Sequence, residues 1–188
     1  MKKEIITICG GLGSGKSSTA KMVAEKLDFK HFSSGDFFRQ AGVELGISVN
    51  ELNKRAETDT KIDEMVDEKL RGMRDSSKVV IDSRTAFHWI PESFKVYLDL
   101  PVEIAKQRVL NNLKENKLRQ QSESSTTLEE VYEKMEERFT SEQKRYWDLY
   151  KINNKNMTQY DLIVDTNKNN LKEVVDIVVS GYKNWIKS

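Results

Sequence analysis

The sequence predicts an α/β fold, doubly wound around a five-stranded parallel sheet with helices on both faces. Short apolar runs recur along the chain, and stretches with helical periodicity separate them. The runs are continuous rather than alternating, as expected of strands covered on both faces. Four of the nine glycines fall between Gly10 and Gly15, where the first run meets the first helical stretch.

The elements follow in order. The first strand is Ile5-Ile6-Thr7-Ile8-Cys9, and the helix after it carries Ala20, Val23, Ala24 and Leu27 at helical spacing. A weaker strand surrounds Lys30-His31-Phe32. Ser48-Val49-Asn50-Glu51 has the pattern of a capping box and announces a helix. Val79-Val80-Ile81 and Val96-Tyr97-Leu98 are the next two strands. Thr127-Leu128-Glu129-Glu130 announces another helix, and Leu162-Ile163-Val164 is the last strand. Leu171, Val174, Val175, Val178, Tyr182 and Trp185 form one stripe of a closing helix. Between them, Gln120 to Thr127 is polar and without an apolar anchor, so it is expected to be mobile.

The composition excludes several classes. With 188 residues the chain suits one domain, 1–188, large enough to bury a core without disulfides or a structural metal. Lys+Arg is 31 against Asp+Glu 30, a net charge of +1 that provides no global field for nucleic acid or an anionic membrane. Cys9 is the single cysteine, which excludes an internal disulfide and a cysteine-cluster zinc site. No apolar run approaches the roughly 20 residues that span a bilayer. The start, Met1 to Ile8, is too short for a signal peptide, so a cytoplasmic location is expected.

Gly10-Gly11-Leu12-Gly13-Ser14-Gly15-Lys16-Ser17 matches G-x-x-x-x-G-K-[ST] in full, after a strand and before a helix. This is a P-loop, and it makes the fold a three-layer P-loop NTPase fold. Gly11, Gly13, Ser14, Gly15, Lys16, Ser17 and Ser18 are the expected nucleotide-binding residues. Their backbone N–H groups turn toward phosphate oxygens at a helix N-terminus. Lys16 reaches the β- and γ-phosphates and the Ser17 hydroxyl ligates Mg²⁺, so ATP and Mg²⁺ are the expected cofactors. Cys9, beside the loop, reads as a small buried residue.

The rest of the chain narrows the class. No glycine has Asp three positions before it, and Asn167-Lys168-Asn169-Asn170 ends in Asn where guanine recognition needs Asp, which argues against a GTPase. The protein-kinase set of a second glycine-rich loop and H-R-D is absent. A small-molecule kinase remains. A hydroxyl acceptor needs a carboxylate base, whereas a monophosphate presents an ionised oxygen and needs cations. Arg39 and Arg84 stand where that acceptor would lie, near the carboxyl ends of strands, and guanidinium groups grip phosphate bidentately.

On these residues the sequence resembles the nucleoside monophosphate kinases, in particular the compact cytidylate kinase-like group. Gly10 to Ser17 and Ser33-Ser34-Gly35-Asp36-Phe37-Phe38-Arg39 look like the donor and acceptor motifs. Ile81-Asp82-Ser83-Arg84 resembles the third-strand motif, and His88 to Val96 looks like the connection to the fourth strand. Glu137 to Tyr146 resembles the helix carrying phosphate-binding arginines, and Tyr160 to Thr166 the last strand. Ser83 stands where the group often has Gly, and Leu12 where Pro is common. The resemblance implies transfer of the ATP γ-phosphate to CMP or dCMP by a monomer with an NMP-binding insert (about residues 35–75) and a short lid (about 111–127). It implies no nucleic-acid or membrane partner.

The resemblance implies catalytic roles for Lys16, Arg84, Arg138 and Arg145. Arg138 and Arg145 are seven apart and so about 10 Å apart on one helix face, within reach of different parts of a bridged phosphate pair. Glu136 and Glu142, at helical spacing, are alternative partners for them. Ser34, Gly35, Asp36, Arg39, Asp63 and Arg84 are the expected acceptor side, with Asp36 orienting the loop or Arg39. Ser17 and Asp82 are the expected Mg²⁺ residues, Asp82 acting through water or, without ligand, pairing with Lys16. Asp59 and Asp63, on the helical insert, are candidates for reading the exocyclic amine of cytosine. Arg108 is a further phosphate candidate at the lid base; Lys114, Lys117 and Arg119 read as solvated. Trp89, Phe37 and Phe38 read as core, with one ring available to stack on a base. Adenylate- or uridylate-type kinases, a deoxynucleoside kinase and an ATPase assembly factor are the alternative readings.

Overall fold

The computed structural model describes residues 2–115 and 127–188. The strands are β1 (Ile5–Gly10), β2 (Lys30–Ser33), β3 (Val79–Asp82), β4 (Phe94–Asp99) and β5 (Leu162–Asp165). They form one sheet in the order β2-β3-β1-β4-β5, and every pairing is parallel. The central strand has Ile6 between Val80 and Phe94, and Ile8 between Asp82 and Val96.

Alternate residues of the buried strands feed opposite faces. Ile6, Ile8, Val80, Val96 and Val164 pack against α1 (Lys16–Leu27) and the closing helix, which follows β5. From α1 come Ala20 and Val23, and from the closing helix Val174, Val178 and Tyr182. On the other face Ile5, Val79 and Ile81 meet Leu70, Met73, Ala86 and Ile90, while Cys9 and Tyr97 meet Phe87 and Ile152. Each fully buried branched side chain contributes about 1.5–3 kcal/mol of transfer free energy. Because both faces are covered, all six residues of β1 are buried, and the strand reads as one apolar run.

Between β2 and β3 lie α2 (Ser34–Leu45), α3 (Val49–Ala56) and α4 (Lys61–Gly72). They pack on one another through Ala41, Leu52, Ala56 and Ile62, which gives the expected insert a small core of its own. Only half of the expected capping box at Ser48 forms. Ser48 Oγ accepts the Glu51 N–H at 3.2 Å, while the Glu51 carboxylate accepts from Arg55 Nη2 at 2.8 Å, one helical turn on.

The one-turn helix α5 (Ala86–Trp89) precedes β4, and α6 (Val102–Glu115) follows it. Next in the described chain is α7 (Leu128–Tyr150), whose capping box at Thr127 and Glu130 is complete in both directions. The closing helix is α8 (Leu171–Lys187), capped by Asn170 and Glu173 in the same way. The central part of the expected lid, with Lys117 and Arg119, lies outside the described residues, as does most of the polar stretch from Gln120. Among the described residues no helix is long and apolar enough to cross a membrane.

Candidate active site

The loop between β1 and α1 owes its shape to glycines in left-handed backbone. Gly13 has φ +70° and Gly15 φ +82°. A side chain at Gly13 would also collide with α6, its Cβ falling 2.9 Å from the Ala105 carbonyl oxygen. Ser14 Oγ donates to the Gly11 carbonyl at 2.9 Å and braces the turn. Gly15 caps α1 without any side-chain bond, so no cap side chain takes the first N–H groups of that helix. Those groups and the helix dipole face the cleft and suit an anion.

Lys16 folds back over the loop and donates from Nζ to the Gly11 carbonyl at 3.1 Å. Burial, and after it the positive charge of Arg84, pulls its ammonium down from 10.5 to about 8. Ser17 Oγ donates to Asp82 Oδ2. Asp82 is buried at the end of β3, in register with Ile8 of β1 and Ser33 of β2. In place of the expected pairing with Lys16, the Asp82 carboxylate accepts from the Ser17 hydroxyl. A hydroxyl and a carboxylate oxygen side by side suit a hard divalent cation that keeps several waters.

The cleft has a second wall opposite this loop. Ser33, Ser34, Gly35, Phe38 and Arg39 line it from the β2–α2 junction, and Arg84, Arg138, Phe139 and Glu142 close it from β3 and α7. Ser34 Oγ donates to the Asp82 carbonyl at 3.4 Å. Arg39 pairs with Asp36 one turn earlier on α2, both largely exposed, so Asp36 sits where an orienting residue would. Arg84 donates from Nη1 to Glu142, and its Cζ lies 4.8 Å from the centre of the Phe139 ring. Phe38 is the expected ring that faces the cleft. Phe37 belongs to the core, and the Trp89 indole N–H is bound to Asp67 Oδ1 at 3.0 Å.

Two expectations need correction. Arg145 does not line the phosphate cleft beside Arg138. It is buried, donating from Nε to Asp63 Oδ2 at 2.6 Å and from Nη1 to Asn53 Oδ1 at 3.2 Å and Ser141 Oγ at 2.7 Å. The two arginines lie on one helix face, but α3 and α4 pack on α7 at the level of Arg145. Asp63 is accordingly an inward, buried partner of that arginine, and burial pushes its carboxyl up against the pull of Arg145. Asp59 is exposed and accepts the Lys61 N–H at 3.1 Å at the start of α4. Arg108 is bound to the Thr166 carbonyl at 2.6 Å.

Sequence reasoning missed Asn53, Ser141 and Phe139 altogether. Helical spacing offers Glu142 to Arg138 and Arg145 as an alternative partner, whereas its carboxylate accepts from Arg84, 58 residues away in sequence. No periodic pattern signals these, because each comes from how α7 packs on other elements. Among the described residues no group of three or more acidic, histidine or cysteine side chains is placed to hold a metal.

Comparison with known proteins narrows the chemistry. A family model described as an AAA domain matches residues 9–131. The curated cytidylate kinase of Natronomonas pharaonis is 34% identical over 184 residues, covering 95% of this chain and 90% of that protein. That of Methanocaldococcus jannaschii is 32% identical over 188 residues, covering 97% and 99%. The crystal structure of shikimate kinase from Aquifex aeolicus superposes with a TM-score of 0.60 over 97% of this chain and 98% of that one. At 16% identity it shows the fold alone. With a full P-loop facing a cationic wall and this similarity over nearly the whole length, the chain belongs to the cytidylate kinase family of ATP-dependent phosphotransferases.

Proposed function

We propose that the protein transfers the γ-phosphate of ATP to CMP or dCMP, giving ADP and CDP or dCDP, with Mg²⁺, as a monomer in the cytoplasm. An oxygen of the acceptor phosphate attacks the γ-phosphorus in line as the bond to the ADP oxygen breaks. The single observation that carries this reading is that Lys16, Arg39 and Arg84 line one cleft. The carboxylates that line it are each paired, Asp82 with Ser17 and Glu142 with Arg84. An ionised phosphate acceptor needs cations rather than a base, and the cleft supplies them in Arg39, Arg84 and Arg138.

Lys16 and the loop amides bind the donor phosphates. Ser17 and Asp82 would hold Mg²⁺, which when bound offsets charge on the donor phosphates. Arg39 and Arg84 grip the acceptor phosphate, and Arg138 faces the transferring group.

ADP release measured with CMP, dCMP, UMP, AMP and GMP in turn tests the proposal, CMP and dCMP being expected to give the highest kcat/KM. Equal rates across the bases remove the cytosine preference. Turnover of cytidine in place of CMP selects a nucleoside kinase, and hydrolysis unaffected by any monophosphate selects an ATPase.

A further inference from the structure

We propose that Glu142 is a positioning residue, an internal counter-ion that occupies Arg84 until an acceptor phosphate takes its place. The two side chains come from distant parts of the chain, the end of β3 and the middle of α7, and meet in the cleft only 21% and 19% exposed. At that burial the pair is little screened and its arrangement is well defined. The Phe139 ring, 4.8 Å from Arg84 Cζ, keeps the guanidinium in place without supplying any charge. Arg84 Nε is buried and has no acceptor among the described residues, so the protein saturates only part of the donor fork. A phosphate presents several acceptor oxygens at once and fits that fork bidentately.

The other acceptor-side arginine shows the contrast. Arg39 is paired with Asp36 on its own helix, both more than half exposed, and solvent weakens that contact. Of these two, it is Arg84 whose counter-ion comes from another element into a partly desolvated wall. The exchange has a chemical purpose. Lys16 and Arg84 together form a strong general anion site, and any small phosphate would fill it. A built-in carboxylate lowers the affinity for anions that bring nothing else, while a nucleotide offsets that loss with its base and ribose contacts.

This inference rests on the acceptor being a phosphate, but not on which base it carries. The test is calorimetric titration of inorganic phosphate into the protein with its P-loop filled by a non-hydrolysable ATP analogue and Mg²⁺. Glu142→Gln is expected to bind phosphate about tenfold more tightly than the wild type, because the competing state is no longer populated. Glu142→Asp, whose carboxylate is one methylene shorter, is expected to bind about two- to threefold more tightly. In an Arg84→Ala background the same substitutions should change nothing, since the coupling runs through that guanidinium. Unchanged or weaker phosphate binding in either folded variant overturns the proposal, as does an equal gain without Arg84. If Glu142→Gln does not fold, Glu142→Asp decides alone. The outcome is separable from the monophosphate panel: loss of base preference there leaves the phosphate titration unaffected.

Discussion

Arg145 Nε and Asp63 Oδ2 lie 2.6 Å apart across 82 residues of chain, both side chains almost fully buried. The pair joins α7 to α4. Removing one member leaves the other as an unpaired buried charge, which costs about 3–5 kcal/mol. Asp63→Ala and Arg145→Ala are each expected to lower the stability measured by urea denaturation by that much. The double variant should lose less than the sum of the two, since no lone charge remains.

Lys16 makes nucleotide binding depend on pH. Its ammonium titrates near 8 in the ligand-free protein, and the donor phosphates favour the charged form. Above pH 8 the protein must therefore take up a proton to bind ATP. The affinity is expected to fall as pH rises from 8 to 9.5, approaching tenfold per unit, and to be nearly flat from 6.5 to 7.5. Calorimetry in buffers of different ionisation enthalpy would show the proton uptake. The stability of the empty protein should move the other way. Lys16 binds its proton less tightly folded than unfolded, so its contribution grows with pH between 8 and 10.5.

Gly13→Ala combines two strains, a side chain at φ +70° and a Cβ 2.9 Å from the Ala105 carbonyl oxygen. Backbone oxygen of α6 cannot swing away as a flexible side chain would. We expect a stability loss of about 1–3 kcal/mol. The rise in KM for ATP should exceed that for the acceptor, read from steady-state kinetics with each substrate varied.

Arg39→Ala should separate the two substrates in the opposite sense. Arg39 is largely exposed and paired with the equally exposed Asp36 of its own helix, so the fold should tolerate its loss. A charge-assisted hydrogen bond to phosphate is worth about 1.5–3 kcal/mol, hence about 10- to 100-fold in acceptor KM. The dissociation constant for ATP should change less than threefold.

Much of this was legible in the sequence, for identifiable reasons. The P-loop is a local device whose residues are contiguous, so Gly10 to Ser17 announces its own geometry. The central strands announce themselves because both faces of the sheet are covered. β2 was weaker because Lys30 is exposed on this edge strand and His31 and Phe32 are only partly buried. The other wall was less legible. Helical spacing correctly put Arg138 and Arg145 on one face, but spacing is silent on what packs against each level of that face. Arg145 met Asp63 and Asn53, and Glu142 met Arg84, because α3, α4 and the end of β3 arrive there from elsewhere. Cross-chain pairings of this kind have no period.

The salt link at Arg145 has one more consequence. It fastens α3 and α4 to the same rod that bears Arg138 and Glu142, and Ser141 adds a second rivet by donating to Glu57 at 2.7 Å. Any closing over substrates would then move these elements as one assembled jaw rather than as two flaps. Small-angle scattering of the empty and doubly loaded protein should register a single concerted contraction, with acceptor alone drawing in α7 as well as the insert.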